Sequence, residues 1–247
     1  MVRRSLAAVS LVGMLSASAS ADPTPTRVAA REAVAPGARA IEARQHRMAP
    51  LHQGDERTFT IKGRDGRHAT AATLTERVTS LRLSGDLLRA EISATWIATG
   101  GRAMTGYQAR RVEEVDSDGL LRATNRLDRA PIPGSEIQGV ALPRNLDVGR
   151  RWTVQLSYSD AGKRVTSRIE QEVAGKVVRR APDGRVLPGV LVKWSEVRSR
   201  AGKKRTERWT GTSIYLEGIG ELETRMERRG GGAWFARRLA ACQCGPR

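Results

Sequence analysis

The sequence predicts a mainly β protein: an antiparallel sheet of about 10–12 strands with little helix. Three observations carry this prediction. From residue 51 onward, apolar and polar residues alternate with period two in short runs, as in strands that bury one face. Clusters of Gly, Asp and Pro separate these runs at hairpin spacing. The polar members of the alternation are mostly Arg, Thr, Ser and Glu, which indicates that the second face of the sheet meets water.

The runs follow one another along the chain, and most of them end at a turn signal. In residues 72–84, Leu74, Val78, Leu81 and Leu83 share one face, apart from a slip that a β-bulge would absorb. The predicted strands are residues 57–62, 72–84, 87–98, 103–115, 120–124, 151–159, 164–178, 186–198, 204–215, 221–228 and 233–239.

Residues 51–241 are predicted to form a single β domain. Residues 125–145 break the alternation and hold three prolines, so we interpret them as a connector that carries at most one short strand. The flanking parts, residues 51–124 and 146–241, share a faint likeness that would fit a duplicated β unit. Strands that are separated by glycine-rich turns resemble one another without any duplication, and this explains the likeness better.

The first 21 residues have the features of a secretory signal peptide. Arg3 and Arg4 precede an apolar run, residues 6–15, and Ala19-Ser20-Ala21 matches the small-x-small cleavage pattern. The run is about ten residues long, whereas a membrane-spanning helix needs roughly 20. We therefore expect cleavage after Ala21, no transmembrane segment after processing, and a periplasmic or extracellular location. The absence of a cysteine near the cut argues against a lipid anchor.

Residues 22–50 are rich in Ala, Arg and Pro and have no sustained apolar face. Their prolines break up any long element, so we predict a disordered tether in which residues 38–48 form at most a short helix.

The charge of the chain is strongly positive. Removing 21 of 247 residues leaves 226, enough for a core without a metal or disulfide staple. The net charge of +17 then loses Arg3 and Arg4 and becomes +15. Of the 43 basic residues, 37 are Arg, and a solvated basic surface explains them better than a dedicated polyanion site. Export makes nucleic acid an implausible partner.

No pattern typical of an enzyme is present in the sequence. There is no Gly-x-Ser-x-Gly motif and no phosphate-binding loop, and His46, His52 and His68 are interpreted as surface histidines. Candidate carboxylates lie in alternating strands beside arginines, where solvated ion pairs explain them. We therefore expect no catalytic residues, no metal site and no cofactor.

The densest basic stretch is the predicted hairpin tip between residues 198 and 208. Like charges at such a tip are exposed, so it is the best candidate for contact with an anionic partner. The candidate residues are Arg198, Arg200, Lys203, Lys204, Arg205 and Arg208. The five tryptophans are interpreted as core anchors; a row of exposed rings that stacks on sugars is the alternative.

Cys242 and Cys244 lie in a C-terminal tail, residues 242–247. Outside the cytosol such a pair is expected to be oxidised, either within the chain or between chains. Disordered thiols are the main alternative. Two thiolates alone do not complete a four-ligand zinc site.

Three segments carry a resemblance to known proteins: residues 146–152, the strand that holds Trp194, and residues 209–220. They resemble a "Val-Gly-x-x-Trp" strand entry and a later "Trp-x…Tyr-x-x-Gly-x-Gly" strand and turn, found in uncharacterised exported bacterial β-sheet proteins. Some of those proteins are similar to the LolA-like lipoprotein-carrier superfamily. The resemblance implies a strongly curved sheet or half-barrel around an apolar cavity, and it implies no catalytic residues.

Together these features predict an exported, non-enzymatic envelope protein. The first hypothesis is a binding module that holds an apolar or amphiphilic ligand, such as a lipid or lipoprotein, on the concave face of the sheet. The alternative is a basic scaffold or adhesion protein that contacts anionic lipid or an anionic envelope polymer such as a polysaccharide. A hydrolase ranks third. The oligomeric state stays open.

Overall fold

The computed structural model of the protein describes residues 36–65, 68–98, 109–126, 136–160, 163–202 and 206–244. The predicted signal peptide and the first part of the predicted tether lie outside these residues. Helix α1 spans Pro36–Arg44. The strands are β1 Glu56–Asp65, β2 His68–Ser84, β3 Leu87–Ala98, β4 Ala109–Val115, β5 Gly119–Arg126, β6 Glu136–Gln138, β7 Leu142–Pro143, β8 Arg151–Asp160, β9 Lys163–Arg180, β10 Val186–Arg200, β11 Glu207–Leu216, β12 Gly220–Arg228 and β13 Ala233–Gln243.

These strands form one antiparallel sheet in the order β6-β8-β9-β10-β11-β12-β13-β1-β2-β3-β4-β5-β7. Strands β13 and β1 pair along Glu56–Asp65, which joins the two ends of the strand sequence into one sheet. The sheet is strongly curled into a half-barrel. The predicted fold class is therefore confirmed. The single β domain stays a prediction, and the duplicated β unit stays its less favoured alternative.

The slip expected in residues 72–84 is a β-bulge. The register between β2 and β3 shifts between Val78 and Ser80. Leu74 and Val78 stay buried on the concave face, and Leu81, beyond the bulge, packs against the cluster that holds Val78.

A short segment joins the two edges of the curled sheet. Strand β6 pairs with β8 at one edge and β7 pairs with β5 at the other, so only residues 139–141 separate the two edges. The Ala141 amide donates to the Leu120 carbonyl at 2.8 Å, while Trp152 and Gln171 donate to the Ala141 carbonyl, each at 3.4 Å. The predicted connector thus carries two short strand pairings where at most one was expected, because each edge of the sheet offers it free backbone groups.

Residues 46–51 fill the concave side of the sheet beside this junction. Met48, Ala49 and Leu51 belong to one buried cluster that also holds Leu88 of β3 and Val190 of β10. Strands β3 and β10 lie far apart in the sheet order, so the sheet curls around these residues. We call residues 46–51 the plug.

Backbone hydrogen bonds fasten the plug to the strands around it. The Gly218 amide donates to the Arg47 carbonyl at 3.0 Å, and Arg57 donates to the Pro50 carbonyl. The prediction of a disordered tether is therefore wrong for residues 36–50. Their composition is polar, but the few apolar side chains near residue 50 meet the core, and the strands satisfy the backbone around them.

A groove across six strands

The candidate site is a groove on the convex, solvent-facing side of the sheet. It crosses the six consecutive strands β8 to β13. One half, of about 590 Å³, lies over β8 to β10, and the other, of about 730 Å³, lies over β10 to β13. The two halves share Lys193 and Trp194, so they form one continuous feature, which we call the outer groove.

Strand register explains how the outer groove is built. Its lining residues form three rows across the strands, and only the two flanking rows point their side chains outward. The first wall is Arg151, Glu172, Lys193, Thr212, Arg225 and Ala236; the second is Thr153, Glu170, Ser195, Thr210, Glu227 and Trp234; the floor is the backbone of Trp152, Gln171, Trp194, Gly211, Met226 and Phe235. Because residues two apart on a strand face the same side, the walls stand about 7 Å apart, and six strands span about 24 Å.

The charges of the walls are balanced. Arg151 pairs with Glu172 through Nε and Oε2 at 3.0 Å, and Arg225 pairs with Glu223 next to it on β12. Lys193, in the middle of the groove, forms no ion pair with any described residue. The walls hold three basic side chains, Arg151, Lys193 and Arg225, and three acidic ones, Glu170, Glu172 and Glu227. The remaining polar wall residues carry hydroxyls: Thr153, Ser195, Thr210 and Thr212. The groove is therefore polar and has no dominant charge.

Below the floor, Trp194 lies on the concave face. Its Nε1 donates to Ser213 Oγ at 3.1 Å, and Ser213 Oγ shares a hydrogen bond of 2.7 Å with Thr224 Oγ1. A Cβ on Gly211 would lie 2.4 Å from Trp194 Cζ2, so the glycine leaves room for the ring. These contacts hold the floor strands together from below.

Trp234 ends the second wall and is 44% exposed. It lies opposite Glu227 on β12 and opposite Arg64 on β1. The interpretation of all five tryptophans as core anchors is wrong for this one. Trp234 and Phe235 are adjacent in a strand, so their rings must point to opposite faces, and this alternation was the available signal. The other wall residues could not be found from the sequence because they come together only through the register of six strands.

The predicted basic tip at residues 198–208 is only partly described, because Lys203, Lys204 and Arg205 lie outside the described residues. Arg198 makes two hydrogen bonds to the buried Glu196 carboxylate, at 3.0 and 3.1 Å, and lies 5.9 Å from the centroid of the Trp209 ring. Glu196 also accepts a hydrogen bond from Ser167. Arg200 is half-buried, while Arg208 is exposed. Contact with an anionic partner stays a prediction for this tip.

The histidines differ in their surroundings. His46 is 1% exposed, which corrects its interpretation as a surface residue. Its Nε2 donates to the Pro143 carbonyl at 3.1 Å, and its Nδ1 accepts from the Met48 amide at 3.1 Å. Burial lowers its pKa. The part-buried His52 lies 3.3 Å from Asp55 Oδ2, and this hydrogen bond raises its pKa.

Cys242 and Cys244 are joined by a disulfide, with their Cα atoms 5.3 Å apart. This pairing is the local one of the two predicted disulfide alternatives. Cys242 lies opposite Arg57 at the end of β13.

Metal ligands do not cluster in the part of the chain that the structure describes: no group of three or more His, Cys, Asp or Glu side chains comes together there. Helix α1, the helix among these residues, is too short and too polar to cross a membrane.

Comparisons with known proteins show the fold of the chain. No protein-family model matches the sequence, and no curated protein matches it. A candidate exported protein with a YmcC-like fold from Bacteroides fragilis is 14% identical, with a TM-score of 0.53 over 78% of this chain and 97% of that one. A candidate lipoprotein from Parabacteroides distasonis is 12% identical, with a TM-score of 0.50 over 81% of this chain and 99% of that one. The predicted resemblance to exported bacterial β proteins is thus confirmed at the level of fold.

Proposed function

We propose that this protein is an exported, non-enzymatic binding protein of the bacterial envelope, and that its outer groove binds an extended, hydroxyl-rich polymer such as an envelope polysaccharide. The single observation that carries the proposal is the groove itself: a continuous channel across six strands with an exposed tryptophan at one end.

The dimensions and chemistry of the outer groove suit such a polymer. An extended chain fits a channel about 7 Å wide and about 24 Å long better than a compact ligand does. Thr153, Ser195, Thr210 and Thr212 supply hydroxyls along both walls, and each can donate and accept hydrogen bonds. The ring of Trp234 offers an apolar face on which a sugar ring can stack.

A ligand on the concave face, the first hypothesis from the sequence, has less room. The plug and the inward side chains of β3, β9 and β10 occupy that face beside the edge junction. An apolar ligand would need further apolar surface toward the strand tips, where Trp209 is covered by Arg198 and Arg228, each 5.9 Å from its ring centroid.

The proposal also holds that the protein is exported and that the carboxylates of the groove are structural. The first 21 residues have the order of a signal peptide, and the two structural neighbours are described as a candidate exported protein and a candidate lipoprotein. Within the outer groove, Glu172 is paired with Arg151, and Glu170 lies 3.1 Å from Arg168. Arg151 and Glu172 pair across β8 and β9, Arg168 and Glu170 pair along β9, and such solvated ion pairs support the sheet.

The test is a binding assay with immobilised bacterial envelope polysaccharides. We expect the wild-type protein to be retained and Trp234→Ala to lose at least about tenfold in affinity, because the stacking surface is gone. Ile97→Ala is the matched control, since Ile97 is 41% exposed on the same convex face but lies outside the groove. Equal losses in both variants would refute the groove as the site.

Two further measurements address the rest of the proposal. Mass spectrometry of protein isolated from the envelope should find Asp22 as the first residue; an intact Met1 would contradict export with cleavage. Native mass spectrometry of the same sample should find no bound lipid. A stoichiometric lipid would favour the concave-face hypothesis instead.

A further inference from the structure

Three apolar side chains at one end of the sheet are unusually exposed. Seven large apolar residues among the described ones are 36% exposed or more, and the three most exposed are Val148 at 57%, Val178 at 60% and Val186 at 57%. All three lie on the β9–β10 hairpin or on the loop beside it. With Pro188, they form what we call the valine ridge.

Strand pairing places Val178, Val186 and Pro188 together, and hydrogen bonds hold the loop of Val148 against the same strand, β9. Val178 pairs with Pro188 across the hairpin, and Val186 lies two residues from Pro188 on the same face. Leu187 points the other way and packs against the core. The loop that bears Val148 is fastened to β9, because Gly149 donates to the Val173 carbonyl at 2.8 Å and Lys176 donates to the Leu146 carbonyl at 3.1 Å. Val186 and Pro188 share the face of Val190, which is fully buried, so the ridge is exposed because the end of the hairpin extends beyond the core.

Basic side chains surround the valine ridge. Residues 176–188 contain Lys176, Arg179, Arg180 and Arg185 but a single acidic residue, Asp183, which pairs with Arg185 at 2.7 Å. Arg180 lies opposite Val186 on the face of the ridge, while Arg179 lies opposite Leu187 at the edge of that face. Both donate to backbone carbonyls at 3.0 Å, and neither forms an ion pair with a described carboxylate. The rim of the ridge therefore keeps a positive charge.

We propose that the valine ridge and its arginine rim dock on the surface of a lipid bilayer that carries anionic headgroups. Exposed aliphatic side chains enter the boundary between headgroups and acyl chains, while the arginines stay at headgroup level and are attracted to the negative surface. Charge complementarity selects this occupant, because cations outnumber anions around the apolar ridge: Lys176, Arg179, Arg180, Arg185 and Arg150 lie beside it against Asp183 and Asp147, and such a rim matches an anionic interface.

This inference goes beyond polymer binding and does not depend on it. Val186 is seven residues from Lys193 along β10, which corresponds to about 23 Å in a strand. Val148 lies closer, three residues from Arg151 at the β8 end of the groove. A docked ridge therefore leaves the middle of the groove and its Trp234 end in water, and each site can fail its test while the other stands.

The experiment is co-flotation of the purified protein with vesicles. The probes are vesicles of phosphatidylcholine with roughly 30% phosphatidylglycerol, and vesicles of phosphatidylcholine alone. We expect binding to the anionic vesicles at low salt, and at least about tenfold less in high salt or on neutral vesicles, because the attraction is screened or absent. Equal binding to both vesicle types would overturn the proposal.

Variants separate the apolar from the electrostatic contribution. Val178→Ser/Val186→Ser should reduce binding at least about fivefold, since less apolar surface is buried. Val197→Ser is the matched control, because Val197 is 40% exposed on β10 outside the ridge, and it should bind like the wild type. Arg179→Gln/Arg180→Gln should reduce binding to anionic vesicles.

Circular dichroism and thermal melting will identify any variant that is misfolded. Binding that the serine substitutions leave unchanged would overturn the proposal, since charge alone would then explain adsorption. A dimer in sedimentation velocity that these substitutions abolish, without vesicle binding, would also overturn it and assign the ridge to a second copy of the chain.

Discussion

The indole ring of Trp194 occupies the space that a side chain on Gly211 would need. A Cβ at position 211 would lie 2.4 Å from Trp194 Cζ2 and 2.7 Å from Cε2. The two residues are directly opposite on β10 and β11. Position 211 in the floor of the outer groove therefore accommodates only glycine while the Trp194 ring stays in place.

We predict that Gly211→Ala destabilises the protein by about 1–3 kcal/mol, because the methyl group collides with the ring and with the Arg225 carbonyl. Guanidinium unfolding monitored by tryptophan fluorescence measures this change. Gly175→Ala on β9 is the matched control, since a Cβ there meets nothing within 4 Å. It should change the unfolding free energy by no more than about 1 kcal/mol. Equal effects of the two substitutions would contradict the contact.

The plug provides the second prediction. Leu51 is fully buried, so Leu51→Ala should lower the free energy of unfolding by about 2–5 kcal/mol through a cavity in the core. Gln53→Ala, two residues away and exposed, should change it by less than about 0.5 kcal/mol. Urea unfolding of both variants measures the difference. A small effect at Leu51 would mean that the plug is dispensable.

Some parts of this structure follow from the sequence, and others depend on tertiary contacts. Alternation and turn signals locate the long strands, and even the bulge after Val78 follows from the spacing of apolar residues. The plug could not be predicted from the sequence, because residues 36–50 have the composition of a linker. His46 is buried only because strands surround it, which the sequence does not indicate. The outer groove could not be predicted either, because the residues that form its walls come from strands that are far apart along the chain.

His46 and His52 should make the stability of the protein depend on pH in opposite directions. The pKa of His46 is lowered from its ordinary 6.5, mainly by burial. Below pH 6.5 the unfolded chain therefore binds a proton that the folded chain refuses, and stability falls as the pH drops through this window. The pKa of His52 is raised by its hydrogen bond to Asp55. Its contribution is complete below pH 6.5 and is lost as the pH rises through the folded pKa.

We therefore expect His46→Gln to make the unfolding free energy less dependent on pH below 6.5, and His52→Gln to make it less dependent above 6.5. At pH 7 the His46 variant should also be less stable by about 1–3 kcal/mol, since a buried hydrogen bond is lost. Urea unfolding across pH 5–8, an interval chosen around the ordinary histidine pKa, gives both slopes. Parallel curves for wild type and His46→Gln would show that His46 does not titrate with folding.

Arg198 is predicted from the sequence to contact an anionic partner, and the structure pairs it with a buried carboxylate. Its side chain neutralises Glu196, which is only 6% exposed, so Arg198→Ala should destabilise the protein by about 1–3 kcal/mol. Arg208→Ala, at the exposed side of the same hairpin, should cost less than about 0.5 kcal/mol. Chemical denaturation measures both variants.

A double-mutant cycle separates the ion pair from general packing at this tip. If Arg198 serves mainly to neutralise Glu196, then Glu196→Gln/Arg198→Ala should be more stable than Arg198→Ala alone, because the unpaired buried charge has been removed. Additive losses would instead assign the effect of Arg198 to its contact with the Trp209 ring. In either case a stability loss at Arg198 would favour Arg208, which is exposed where Arg200 is half-buried, as the residue of this tip for testing an anionic partner without disturbing the fold.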